Sequence, residues 1–256
     1  MLKQLADKLD QAAANAQSIT QLSASTQLSL HEAYEVQKLS IGLRLLRGEK
    51  LVGYKLGFTS RAKMEQMGVD DLIWGRLTDT MMIADGGQIS LSDYVHPRAE
   101  PEIAFRLKHP LSGKVSKETA LAAIDAVACA IEVIDSRYQN FKFSLSDVIA
   151  DNCSSTGYVV GPWHDADTQL DNLPMVLKVD GVEAQRGSSM DILDHPLNSL
   201  IEAARCVAEY GESLQPGQIV LAGAATAAVA LAPGQTISVE VEGLASCHFS
   251  TMAQPL

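Results

Sequence analysis

In this 256-residue chain, three glutamates have the residue type and spacing best suited to a metal-binding site. Glu100 and Glu102 lie two apart in an alternating stretch, and side chains two apart on a strand project from the same face. Glu132 stands in the otherwise apolar segment 128–134, where a carboxylate is unfavourable unless it is paired or bound to a metal. Three oxygen ligands are typical of Mg²⁺ or Mn²⁺ sites. The alternative is that Glu100 and Glu102 line a solvated strand face and that Glu132 pairs with a lysine or arginine.

Helices are predicted before the segment that carries this cluster. Residues 2–17 have leucines at helical spacing. A second helix starts at a capping box of Ser29 and Glu32 and continues to about residue 46. We therefore predict an N-terminal helical layer over residues 1–50 and a catalytic domain over residues 51–256.

The later pattern alternates between strands and short helices, and it predicts a single α+β unit. Strands are expected at 51–58, 100–107 and 130–134, the second as an edge or rim strand because it contains Pro101. Residues 176–184 predict a hairpin with a D-G turn. Helices are predicted at 60–68 with Ser60 as its cap, at 117–128, and at about 195–210 with Asp194 as its cap.

Composition and charge exclude several classes of protein. The net charge of -11 disfavours a nucleic-acid surface, which requires clustered lysine and arginine. No uncharged apolar run approaches the roughly 20 residues of a membrane span, and the N-terminus has no export signal. The four cysteines are dispersed, which is typical of reduced thiols. We expect a soluble, cytoplasmic protein.

Five segments resemble the family of 2-oxopent-4-enoate hydratases and 4-oxalocrotonate decarboxylases. They are residues 53–60 (GYKLGFTS), 96–104 (HPRAEPEIA), 131–137 (IEVIDSR), 150–155 (ADNCSS) and 195–197 (HPL). The resemblance extends over nearly the whole chain. It implies the fold of the fumarylacetoacetate hydrolase superfamily, a mixed, rolled β-structure with flanking helices. It also implies that Glu100, Glu102 and Glu132 bind Mg²⁺ or Mn²⁺, and that the protein acts in the meta-cleavage degradation of aromatic compounds.

The resemblance favours the decarboxylase branch of this family. Hydratases carry an acidic residue shortly after a G-V-D motif, whereas this chain has Ile73 there, as the decarboxylases do. Residues 133–143 (VIDSRYQNFKF) and 226–229 (TAAV) are also similar to decarboxylases, although Pro101 and the Ala224-Ala225 pair depart from the common pattern. The implied reaction is metal-dependent decarboxylation of 4-oxalocrotonate (2-oxohex-3-enedioate) to 2-hydroxypenta-2,4-dienoate. The alternatives are a 2-oxopent-4-enoate hydratase, a fumarylacetoacetate-type hydrolase, and a non-catalytic assembly subunit that partners a hydratase.

Two basic residues of the matching motifs are candidates for substrate contacts. Lys55 would stabilise the developing enolate or bind a substrate carboxylate. Its alternative is a lysine extending to solvent from a strand edge. Arg137 pairs either with a carboxylate of the substrate or, structurally, with Asp135 or Asp151.

The remaining candidates are Ser155 and Asp79. Ser155 either donates a hydrogen bond to the substrate or serves a turn or cap. Asp79 is either an acid of the pocket or a turn residue, and His195 is interpreted as structural because it precedes Pro196 at a helix start. The resemblance further implies a small dicarboxylic 2-oxo acid as substrate, a homo-oligomer, and a complex with a hydratase.

Overall fold

The computed structural model describes residues 1–59 and 71–253, so the predicted helix at 60–68 lies outside the described residues. The helices, numbered along the chain, are α1 (Leu2–Ala14), α2 (Leu30–Leu46), α3 (Lys117–Ala123), α4 (Leu145–Ala150) and α5 (Pro196–Ala208). The predicted capping box of α2 is confirmed. Ser29 accepts a hydrogen bond from the Glu32 N–H, and the Glu32 carboxylate accepts one from the Ser29 N–H at 2.9 Å.

Thirteen strands form two sheets within the described residues. They are β1 (Leu51–Gly57), β2 (Ile73–Thr78), β3 (Gly87–Ile89), β4 (Arg98–Leu107), β5 (Ile124–Ile134), β6 (Ser155–Val160), β7 (His164–Asp165), β8 (Pro174–Val179), β9 (Val182–Ser188), β10 (Ile219–Leu221), β11 (Val229–Ala230), β12 (Thr236–Val241) and β13 (Cys247–Thr251). The larger sheet has the order β2-β1-β10-β4-β5-β6, with β11 beside β4 and β7 beside β5. The smaller sheet has the order β3-β13-β12-β8-β9. Parallel and antiparallel pairs occur in both sheets, so the predicted mixed β-structure with flanking helices is confirmed.

The prediction that Pro101 marks an edge strand is wrong, because β4 lies in the middle of the larger sheet. It pairs with β5 on one side, and with β10 and β11 on the other. Pro101 falls between the segments that pair with β10 and β11, where its carbonyl accepts a hydrogen bond from Ala225 N–H at 3.0 Å. The N and O atoms of a strand residue face the same side, so the missing N–H faces this loop and interrupts no ladder.

Two predicted helix boundaries are also corrected. Helix α3 ends at Ala123, and residues 124–128 belong to β5, because pairing with β4 outweighs the local helical preference of alanine. The cap of α5 is His195 and not Asp194. The His195 Nδ1 accepts a hydrogen bond from the Leu197 N–H at 3.0 Å, which is a structural role.

The predicted hairpin is confirmed as β8 and β9, with positive φ angles of 51° at Asp180 and 78° at Gly181. The predicted boundary at residue 50 stays a prediction. Helix α2 packs against β2 and α4, where the side chain of Gln37 donates hydrogen bonds to the carbonyls of Trp74 and Ile149. None of the described helices has the length and apolar character needed to cross a membrane.

The main core lies between the two sheets. Alternate residues of β4 and β5, including Ile103 and Cys129, pack against residues of the smaller sheet such as Val239 and Phe249. Cys129 Sγ lies 3.6 Å from Cys247 Sγ, and the four cysteines are buried free thiols. Because side chains alternate along a strand, the opposite face of β4 and β5 carries the glutamates.

Candidate metal centre

Strands β4 and β5 bring the three predicted glutamates together. Glu100 is the direct cross-strand partner of Glu132, and Glu102 is two residues further along β4 on the same face. One carboxylate oxygen from each residue lies within 4.8 Å of those from the other two. Glu102 and Glu132 are fully buried, whereas Glu100 is half-buried. The convergence that the sequence predicts is therefore present in the fold.

Lys55 reaches the same cluster from β1. Its strand pairs with β10, which pairs with β4, so that Lys55, Leu221 and Ala104 are successive cross-strand neighbours. The Lys55 Nζ lies 2.9 Å from Glu132 Oε2, and the lysine side chain is buried. The alternative of a lysine that extends to solvent is excluded by this burial.

The negative charge of the cluster is only partly neutralised by the protein. Burial, followed by the charge of Glu132, raises the pKa of Glu102 well above its ordinary value. Burial also raises the pKa of Glu132, although Lys55 opposes this shift. Burial alone would lower the pKa of the Lys55 amine, but Glu132 and the other carboxylates outweigh it and raise that pKa. A single ammonium group does not neutralise these two buried carboxylates, so a bound cation would stabilise the site.

The hydrogen bonds of the glutamates also fit a metal ion. Glu102 Oε1 and Glu132 Oε1 are buried and have no hydrogen-bond partner among the described residues, so each has lone pairs available to a ligand. Glu102 Oε2 accepts a hydrogen bond from the Gly223 N–H at 2.7 Å, which orients the carboxylate. Gly223 has a φ of 104°, and a Cβ there would lie 2.2 Å from Thr59 Oγ1. Only glycine fits at this position, and oxygen ligands of this kind suit Mg²⁺.

The cluster opens into a cavity of about 400 Å³ whose polar floor includes Lys55 and Glu100. Its apolar wall is formed by residues of β2, β5 and α4 and of the neighbouring loops: Phe58, Ile73, Ile134, Phe141, Phe143 and Val148. Arg98, Cys153 and Ser154 are among the other lining residues. Ile73 thus contributes an apolar side chain to the pocket.

Arg137 and Ser155 line a different cavity, of about 310 Å³, between the sheet and helices α1 and α2. The Arg137 Nε lies 2.6 Å from Asp151 Oδ1, and both side chains are buried. Burial raises the pKa of Asp151 to about 6, while Arg137 opposes the shift. Of the alternatives left open for Arg137, the structure therefore has the ion pair with Asp151. Ser155 is buried, and its hydroxyl has no partner among the described residues.

The structure does not bring Asp79 into the pocket. Its carboxylate accepts a hydrogen bond from the Lys50 N–H at 2.9 Å, at the end of β2 opposite to Ile73. Since Thr78 pairs with Leu51 and Gly75 pairs with Lys55, Asp79 lies about four residues of strand away from the lysine, on the order of 13 Å. The expected pocket acid instead begins the short 3-10 helix Asp79–Met81, because β2 carries it away from the site.

Sequence reasoning missed several polar residues that line the pocket, among them Arg98 and Ser154. Arg98 precedes Glu100 by two residues on β4, so the alternation that relates Glu100 to Glu102 also placed Arg98 on their face. Ser154 stands next to the predicted Ser155, is buried, and has a hydroxyl without a partner among the described residues. No local signal distinguished the two serines.

Comparison with known proteins agrees with this architecture. The family model described as Fumarylacetoacetate (FAA) hydrolase C-terminal matches residues 60–250, which is more than half of the chain. The chain therefore belongs to the fumarylacetoacetate hydrolase family.

Comparison with individual relatives is more specific than the match to the family model. The chain is 52% identical over 253 residues to a 4-oxalocrotonate decarboxylase of a Pseudomonas species, with 99% of each chain covered. It is similar to the structure of a 4-oxalocrotonate decarboxylase from Pseudomonas putida G7 complexed with magnesium and adipate. That similarity has a TM-score of 0.95, 37% identity, and 98% and 97% of the two chains covered. A 2-hydroxyhexa-2,4-dienoate hydratase of Comamonas testosteroni is 32% identical over 226 residues, with 86% of each chain covered.

Proposed function

We propose that this chain is a Mg²⁺-dependent decarboxylase that converts 4-oxalocrotonate to 2-hydroxypenta-2,4-dienoate and CO₂. The observation that carries the proposal is the convergence of Glu100, Glu102 and Glu132 beside the buried Lys55. The names of the relatives at 52% and 37% identity support the reaction. The adipate in the similar structure is a linear six-carbon dicarboxylate, as is the proposed substrate.

The reaction breaks the bond between C5 and the distal C6 carboxylate. The bonding electron pair moves through the C3–C4 alkene to the C2 ketone, so that CO₂ leaves and a dienolate remains. A proton from solvent on the C2 oxygen then completes the 2-hydroxydienoate. Mg²⁺, held by the three glutamates, would supply Lewis-acid stabilisation of the negative charge on the 2-oxo acid.

The chain's own residues contribute in two ways. Lys55 provides a fixed positive charge at the polar end of the pocket, and its ion pair with Glu132 orients it there. The aromatic and aliphatic wall, which includes Phe58, Phe141 and Ile73, reduces access of water to the dienolate. A low dielectric constant around the reacting atoms strengthens the interaction of Lys55 with the developing charge.

The direct test is incubation of the purified protein with 4-oxalocrotonate and Mg²⁺, with and without EDTA, while CO₂ is measured. We expect CO₂ release in a 1:1 ratio to the substrate consumed, and its loss in EDTA. Consumption of the substrate without CO₂ would overturn the proposal. Retention of the full rate in EDTA would support the decarboxylase activity but overturn the assignment of a metal site.

A hydratase is the second candidate function, because the chain is 32% identical to a dienoate hydratase. Hydration requires a group that exchanges protons with water, and the apolar side chain of Ile73 cannot do so. We expect the unmodified protein to add no water to 2-hydroxypenta-2,4-dienoate. The variant Ile73→Asp is expected to gain measurable hydration, and Ile73→Asn is its matched control without an acid.

We also propose that the enzyme acts in the cytoplasm as a homo-oligomer and forms a complex with a hydratase. The support is chemical: 2-hydroxypenta-2,4-dienoate is the species that a 2-oxopent-4-enoate hydratase would consume next. Light scattering of the protein alone, and after mixing with such a hydratase, measures both masses. A monomeric mass that does not change on mixing would exclude both assemblies.

A further inference from the structure

Arg98 is a charged residue of the pocket that the proposed chemistry has not used. It lies on the glutamate face of β4, two residues before Glu100, and lines the same cavity as Lys55. Its segment is anchored, because the Asp135 carboxylate at the end of β5 accepts hydrogen bonds from the N–H groups of Val95 and His96. The start of β4, and with it Arg98, is therefore tied to the strand that carries Glu132.

The guanidinium group of Arg98 is stacked on an aromatic ring and has no ion-pair partner among the described residues. Its central carbon lies 4.5 Å from the centre of the Phe141 ring, and the Phe141 ring in turn contacts Phe143 with 5.5 Å between ring centres. Every other arginine in the described part of the chain forms an ion pair with an aspartate or glutamate. Arg98 has no such partner within residues 1–59 and 71–253.

Stacking occupies the flat face of a guanidinium group and leaves the N–H donors at its edge available. An arginine in this state matches a carboxylate, which accepts two parallel hydrogen bonds from the guanidinium edge. Lys55 is a poorer candidate for the same partner, because its ammonium group already contacts Glu132. The unused donors of Arg98 therefore face a pocket that, on the proposed function, must accommodate a second carboxylate.

We propose that Arg98 binds the distal carboxylate of the substrate and selects linear 2-oxo dicarboxylates over 2-oxo monocarboxylates. The inference rests on the proposed function, since it takes the 2-oxo acid end to lie at the glutamate cluster. It adds a specificity residue that holds the carboxylate that leaves as CO₂.

This position has a kinetic consequence. Arg98 stabilises the charged carboxylate of the bound substrate, and this charge moves away from it in the transition state. The contact is therefore stronger in the bound substrate than in the transition state, so its loss should raise KM without lowering kcat. The product lacks the distal carboxylate, so it also loses this contact, which favours its release.

The test is calorimetric and does not require turnover. In saturating Mg²⁺, the affinities of 2-oxoadipate and 2-oxohexanoate are measured, because these acids differ only in the distal carboxylate. We expect the unmodified protein to prefer the dicarboxylate by about 10- to 100-fold, the range of a charge-assisted hydrogen-bonded pair. Arg98→Met should reduce the preference to less than about threefold with the monocarboxylate affinity unchanged. Arg98→Lys should retain part of the preference.

Arg106→Met is the matched control. Arg106 is on the same face of β4 and lies over the Trp163 ring at 4.8 Å, but it is ion-paired with Asp125 and does not line the pocket. The Arg106→Met variant should therefore show the same preference for 2-oxoadipate as the unmodified protein.

The inference is overturned if the Arg98→Met variant keeps the preference for the dicarboxylate, or if the substitution weakens the binding of both acids equally. The proposed function fails separately if both acids bind in Mg²⁺ with the expected preference but no CO₂ is released from 4-oxalocrotonate. Failure of both acids to bind the unmodified protein would overturn the two proposals together.

Discussion

The substitution Glu102→Gln separates the electrostatic role of this residue from its role as a metal ligand. The ligand oxygens of the three glutamates lie within 4.8 Å of one another, and Glu102 and Glu132 are fully buried. Burial and Glu132 raise the pKa of Glu102, so in the metal-free protein the site costs up to about 3 kcal/mol near pH 7, either as repulsion between two ionised carboxylates at an effective dielectric constant of about 20 or as protonation of Glu102. Glutamine has the same shape, removes the charge, and keeps an oxygen that accepts the Gly223 N–H.

The metal-free protein should therefore become more stable, while the response to Mg²⁺ disappears. For a chain of this size, about 3 kcal/mol corresponds to a rise in Tm of roughly 5–10 °C in EDTA. In the unmodified protein, Mg²⁺ at about 100 times its Kd stabilises the fold by about 3 kcal/mol and raises Tm by a similar amount. In the variant, Mg²⁺ should leave Tm unchanged and CO₂ release should be lost.

The assay is thermal unfolding in EDTA and in a series of Mg²⁺ concentrations, followed by the CO₂ measurement. Glu242→Gln is a suitable control, because Glu242 is exposed and outside the cluster, and it should preserve both the Mg²⁺ response and the activity. A Glu102→Gln protein that still gains stability from Mg²⁺ would refute the assignment of the ligand. A lower Tm in EDTA would show that the Glu102 charge is compensated within the fold.

Three further substitutions test the positions of the remaining candidates. Lys55→Met should lower kcat for CO₂ release by roughly 100-fold without weakening the Mg²⁺-dependent rise in Tm, because Lys55 stabilises charge beside Glu132 but is not a ligand; a lost Mg²⁺ response would contradict this division of roles. Arg137→Met should destabilise the fold by about 3–5 kcal/mol in urea unfolding, since it leaves Asp151 buried without its partner, while kcat and KM of the folded enzyme stay within about threefold. Asp79→Asn should change the free energy of unfolding by no more than about 1 kcal/mol and leave CO₂ release intact, and a large loss of activity would return Asp79 to the list of catalytic residues.

The sequence alone was sufficient for features that depend on short-range periodicity and on recognisable motifs. The two-residue period of a strand placed Glu100 and Glu102 on one face, and the apolar surroundings of Glu132 indicated a buried, compensated charge. The capping box of α2 and the D-G hairpin were likewise local in origin. Such features are predictable because a few neighbouring residues determine them.

Only the tertiary structure decided which side chains reach the pocket. Asn152, Cys153 and Ser154 have φ angles of 50°, 52° and 58°, and this run of left-handed backbone conformations turns Ser154 into the pocket and Ser155 towards α1 and α2. A run of three such residues is not predictable from the local sequence, because positive φ angles are uncommon in residues other than glycine, even though asparagine adopts them more often than most.

Long-range strand pairing decided how the charged residues of the site come together. The register of β4 against β5 set Glu100 opposite Glu132, and the order β1-β10-β4 brought Lys55 to them from a distant part of the chain. Arg137 pairs with Asp151 beside a different cavity, and Arg98 is the arginine that lines the pocket within the described residues. Each outcome depends on how strands far apart in the chain align, which a side chain's type and its neighbours in sequence do not encode.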